Sequence, residues 1–118
     1  MPYRTPTPVA KELTMEEQLN RIFDILEKAP SSKWVFSLNC GDRVFTFKDE
    51  RVTLIIEEHV YSTLGISVVL RDASNNTIEK DTERLRNLFL KLCATERNKE
   101  LDKKKSIVNA VYQKLRGL

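Results

Sequence analysis

The sequence predicts an α+β domain: an N-terminal amphipathic helix, a four-stranded antiparallel meander, and two C-terminal helices packed on one face of the sheet. Three observations carry this reading. Apolar residues alternate at every second position from Lys33 to Asp72, they recur every three or four positions on both sides of that stretch, and short polar connections separate the alternating runs. A period of two belongs to strands and a period near 3.6 to helices. Connections this short join antiparallel neighbours.

The first helix carries its own start and stop signals. Thr14, with Glu17 three residues on, has the form of a capping box, which satisfies amide donors left orphaned at a helix start. Met15, Leu19, Ile22, Phe23 and Leu26 then mark one face, and Ile25 widens it. Glu17 with Arg21, and Asp24 with Lys28, stand at i, i+4 on the wet side. Pro30 ends the helix near Lys28. Ahead of it, residues 1–13 hold Pro2, Pro6 and Pro8 and read as a flexible Pro-rich arm, leaving residues 14–118 as a single domain.

Four strands follow. Trp34, Phe36 and Leu38 alternate with Val35 and Ser37 before the turn Asn39-Cys40-Gly41-Asp42. Phe45 and Phe47 alternate with Val44 and Thr46, and residues 48–51 reverse the chain. Val52, Leu54 and Ile56 lead to a polar bend at Glu57-Glu58-His59, after which Ile66, Val68 and Leu70 share a face. Thr77-Ile78-Glu79 is at most a short edge addition. One face is large and apolar while the other mixes Thr, Ser and Val, so helices are expected on one side only. Trp34, Phe36, Ile66, Val68, Leu85, Phe89 and Leu92 are the expected core.

From Asp81 the helical period returns. Leu85, Leu88, Phe89, Leu92 and Cys93 form one stripe; Leu101, Val108, Val111, Tyr112 and Leu115 form another, and no apolar residue lies between Glu96 and Glu100. At about 100° per residue, Leu101 and Val108 fall half a turn out of phase with Leu92. The spacing therefore predicts a break near Asn98, so that each helix faces inward. A continuous rod is the alternative if its far end packs on another subunit.

Composition narrows the chemistry. With 118 residues, 41% of them hydrophobic and 31% charged, the chain can bury a core without staples. Gly41, Gly65 and Gly117 are too far apart for a phosphate-binding loop. His59 is the one histidine, and its polar neighbours match no zinc-ligand spacing. A hydrolase would need that histidine as its base, and no Gly-x-Ser-x-Gly elbow is present. Cys40 reads as a loop thiol and Cys93 as a small core residue. No apolar run reaches the length of a membrane span and no secretory leader is recognisable, which places the chain in the cytoplasm with both thiols reduced.

Charge is unevenly spread. Residues 1–76 carry nine Lys/Arg against eleven Asp/Glu, and residues 77–118 carry eleven against six. Function is accordingly expected to be non-catalytic: a small cytoplasmic interaction module that docks on a protein partner, foremost a second copy of itself, through Leu101, Val108, Val111, Tyr112 and Leu115. The second reading is a nucleic-acid-binding accessory protein using Arg97, Lys99, Lys103, Lys104, Lys105, Lys114 and Arg116, because clustered cations gain affinity for phosphates by releasing counterions. Glu96, Glu100 and Asp102 interrupt that cluster, and such runs more often serve solubility. An enzyme of unidentified chemistry ranks third. No metal, cofactor, small-molecule ligand or membrane partner is expected.

Overall fold

Five strands run in sequence order as one antiparallel sheet: β1 (Trp34–Asn39), β2 (Asp42–Lys48), β3 (Thr53–Tyr61), β4 (Gly65–Asp72) and β5 (Thr77–Lys80). Helix α1 (Met15–Lys28) precedes them and a 33-residue helix, α2 (Glu83–Leu115), follows. These elements come from a computed structural model, which describes residues 12–61 and 65–118. The α+β class and the meander agree with the sequence reading. The fifth strand, the single C-terminal helix and the extent of β3 differ from it, and most of the Pro-rich arm expected at 1–13 lies outside the described residues.

Local chemistry explains the element boundaries. The Thr14 hydroxyl accepts from the Glu17 amide at 3.1 Å, the Thr14 N–H and hydroxyl turn toward the Glu17 carboxylate, and so the expected capping box is complete. Cys40 and Gly41 both take positive φ, the mark of a two-residue type I′ turn, and they close β1 onto β2 at the pair Asn39↔Asp42. The left-handed Asp81 (φ 57°) sets the start of α2. Its carboxylate accepts from the Val68 amide at 2.8 Å, the Ser67 hydroxyl at 2.8 Å and the Arg86 guanidinium at 2.9 Å, tying the helix entry to β4.

The core lies between one face of the sheet and the two helices. Phe45, Phe47, Leu54, Ile56, Val68 and Leu70 of the sheet meet Phe23 and Leu26 of α1 and Leu85, Leu88, Phe89, Leu92 and Cys93 of α2. Rings of Phe45 and Phe89 meet edge to face, centroids 5.7 Å apart. Arg84 joins the helices from the solvent side, donating to Asp24 at 2.6 Å and Glu27 at 2.7 Å while its guanidinium covers the Phe23 ring. Asp24 is thereby bonded across to α2 rather than only flanking Lys28 along its own helix.

Several sequence expectations are corrected. Met15 and Ile25 are exposed, since the sheet meets only the Phe23–Leu26 side of α1. Trp34 and Phe36 are half-buried, because β1 is the sheet edge. Ile66 and Val52 are exposed: both stand near strand ends, outside the cover of the helices. Glu57-Glu58-His59 is no bend; β3 runs straight through it, paired with Val69, Val68 and Ser67 of β4. Ladder hydrogen bonds and cross-strand ion pairs hold these polar residues extended.

The largest correction concerns α2, which is continuous through Asn98. The two expected C-terminal helices are one, and only its first part covers the sheet. From Arg97 to Leu118 every residue is exposed. Neither glycine nor proline interrupts the helix, and residues 94–105 are mostly Ala, Glu, Arg, Lys and Leu, all strong helix formers. A break would forfeit backbone hydrogen bonds, and nothing in the local sequence favours one.

Candidate protein-interaction site

Helix α2 has two apolar faces on opposite sides. The inner one, Leu85 to Cys93, is sealed in the core. The outer one is formed by Leu101, Val108, Val111, Tyr112 and Leu115, each between 47% and 60% exposed. Leu101, Val108 and Leu115 recur every seven residues and lie within about 40° of one another around the helix axis. All five residues expected from the sequence are therefore brought onto one surface. Leu90, in phase with Leu101 and exposed on the back of the buried segment, extends the stripe toward the domain, and Ile107 flanks it. The sequence reading passed over both; the recurrence of Leu90 eleven residues before Leu101 was the available signal. From Leu90 to Leu115 the stripe spans about 38 Å. Side by side on its surface lie Leu101, Lys104, Lys105, Val108 and Tyr112.

Arg97, Lys99, Lys103, Lys104, Lys105, Lys114 and Arg116 all lie on the same protruding segment and are exposed. None takes part in an ion pair among the described residues. They do not form a single patch. Lys104 and Lys105 border the apolar stripe, whereas Lys99 and Lys103 point to the opposite side of the helix. What the helix presents is an apolar ridge with cations around it.

The polar residues singled out around His59 separate as strand geometry demands. Glu57 and His59 share the open face of the sheet, where the Glu57 carboxylate takes Arg71 at 2.8 Å and stands 3.3 Å from the His59 Nε2. Glu58 points to the helix side, nearly buried, and accepts from the Arg43 amide at 2.8 Å and from its guanidinium. Burial pushes the Glu58 carboxyl up, but the hydrogen bonds and charge of Arg43 outweigh that and hold it below the usual carboxylate range. Arg43 in turn lies over the Phe89 ring, 5.1 Å from its centroid. The cluster fastens β2, β3 and α2 together. Cys40 sits exposed in its turn and Cys93 is buried, where burial raises its thiol pKa. Among the described residues no three His, Cys, Asp or Glu side chains gather as a metal site requires.

A second surface is absent from the sequence reading, which expects Trp34 and Phe36 to be mostly buried in the core. They line one wall of a cleft of about 100 Å³ that runs between the outer edge of β1 and α2. Leu26 and Ala29 close one end, Leu88 and Leu92 lie opposite, and Thr95, Glu96 and Lys99 form the upper rim. The signal was the strand itself: Trp34–Asn39 carries no charged residue. Among the described residues no helix is long and apolar enough to cross a membrane. No protein-family model, curated protein or solved structure matches this chain.

Proposed function

We propose that this chain is a non-catalytic cytoplasmic interaction module that self-associates through the outer stripe of α2. One observation carries the reading: an uninterrupted helix projects about five turns beyond its own domain with an apolar seam facing solvent. Most helical stability in proteins comes from packing an amphipathic face, and the outer seam packs against nothing among the described residues. A second copy supplies such a face. In an antiparallel pair centred on Val108, Leu101 comes level with the second copy's Leu115. Glu100 then meets Lys114 on one flank, and Asp102 meets Arg116 on the other. The acids that interrupt the basic cluster thus acquire partners. A two-fold arrangement of this kind uses one patch twice, as most dimers do.

Light scattering after gel filtration tests the reading across a concentration series. The mass should rise to that of a dimer by tens of micromolar, and Val108→Glu should hold it at the monomer value. A monomer throughout would overturn the proposal. The seven exposed cations on the projecting helix favour nucleic-acid binding as the second reading. Binding that falls steeply with added salt, and that vanishes when Lys103, Lys104 and Lys105 are changed together to Glu, would put it first.

A further inference from the structure

We propose that the outer edge of β1, which pairs with no strand among the described residues, captures together with the cleft between it and α2 an extended, uncharged segment of a partner protein by strand addition. The edge dictates the occupant. Because the two-residue turn closes on Asn39↔Asp42, Asn39, Ser37 and Val35 spend their backbone groups on β2, and those of Phe36 and Leu38 point outward. The Trp34 N–H is used by the Ser31 carbonyl, while the Trp34 C=O joins the outward row. A row of alternating donors and acceptors at this spacing is matched by another extended backbone.

Natural sheets blunt such edges with charge, proline or very short strands. The far edge follows that rule: β5 has four residues and includes Glu79 and Lys80. The near edge departs from it, since β1 spans six residues with neither charge nor proline, and Val35 and Leu38 are exposed. The cleft supplies selectivity. Side chains on the helix side of an added strand drop toward Trp34, Phe36, Leu88 and Leu92, where an aliphatic group fits. Alternate side chains remain in solvent beside Val35 and Ser37. Glu27 and Glu96 on the walls balance Lys91 and Lys99, so a neutral segment matches best. A second copy's β1 is a poorer occupant: its own Trp34 and Phe36 face its own helices and would leave the cleft empty.

The test begins by panning the full chain against randomised short peptides. The expected binders carry aliphatic residues at every second position, and N-methylating alternate backbone nitrogens should abolish their binding. Two variants address the site. Leu38→Pro removes one outward N–H at a place where edge strands tolerate proline, and Thr95→Trp fills the cleft from an exposed helix position. Both should keep the native circular dichroism and weaken the peptides by about tenfold or more, the scale of one lost hydrogen bond or pocket contact. Amide resonances of Phe36 and Leu38 should move on titration. The proposal falls if no alternating pattern is enriched, or if the binders tolerate N-methylation and Thr95→Trp. It falls equally if their shifts map to Leu101–Leu115, or if Leu38→Pro turns a dimer into a monomer, which would give the edge to a second copy.

Discussion

Ending the chain at Glu100 removes residues 101–118 and with them most of the outer stripe. None of the removed side chains touches the core, which takes its α2 contribution from Leu85, Leu88, Phe89, Leu92 and Cys93. The apolar area that the monomer loses from its interior is therefore close to zero, and the change in monomer stability should stay within about 0.5 kcal/mol. For an ordered core of this size that is a shift in Tm of about 2–4 °C. Self-association should disappear with the same truncation. The full-length chain supplies the complement: at low concentration its distal helix has no tertiary packing to hold its end against fraying, so helical ellipticity per residue should rise as concentration drives pairing. Thermal unfolding followed by circular dichroism, with light scattering alongside, reads all three quantities. If the truncated monomer melts more than about 10 °C lower, the distal segment contributes to the core and the division of α2 into inner and outer faces is wrong.

Further tests address the parts that hold the fold. Phe89→Ala should cost about 3–5 kcal/mol in urea unfolding, since the ring is buried against Phe45; a cost below about 1 kcal/mol would mean that α2 is not seated there. Glu58→Gln should cost about 1–3 kcal/mol at neutral pH through its weakened grip on Arg43. Because the folded-state Glu58 pKa is depressed, its contribution is full above the usual carboxylate value and is lost as pH falls through the lower, folded value. Wild type and variant should therefore converge in stability in acid, and a gap that persists would exclude the ion pair as its source. Iodoacetamide should modify Cys40 rapidly in the native protein and reach Cys93 only on unfolding; equal rates would contradict the buried place of Cys93.

Strand pairing was legible where alternation and turn residues agreed. Trp34 to Phe47 gave two strands and their turn because aromatic residues fall at every second position around Cys40-Gly41. Glu57-Glu58-His59 was misread as a bend because three consecutive polar residues hide the period. Each side chain nevertheless has a face and a partner, Glu58 with Arg43 and Glu57 with Arg71, and those partners stand fourteen or fifteen residues away. Met15 and Ile66 obeyed the period and are exposed all the same, because helix and strand outrun the area where the two layers overlap. Periodicity reports which side a residue takes. Whether anything lies opposite is decided by the lengths of the elements packed together.

The same distinction governs the candidate site. Phase arithmetic on Leu92, Leu101 and Val108 located two apolar faces correctly, and the step from two faces to two helices assumed that every apolar face is buried within one chain. Breaking α2 near Asn98 would have exchanged several backbone hydrogen bonds, each worth about 0.5–1.5 kcal/mol, for a second layer on a sheet whose helix face α1 and the first turns of α2 already occupy. With no glycine or proline to ease the break and no free core surface to reward it, the continuous rod is the lower state for the isolated chain. Its cost is the exposed seam from Leu101 to Leu115, where each Leu or Val still stands to gain part of the 1.5–3 kcal/mol typical of full burial. That unrealised gain is what the proposed association would draw on, and it would be largest for a partner that covers the entire seam at once, as an antiparallel second helix does.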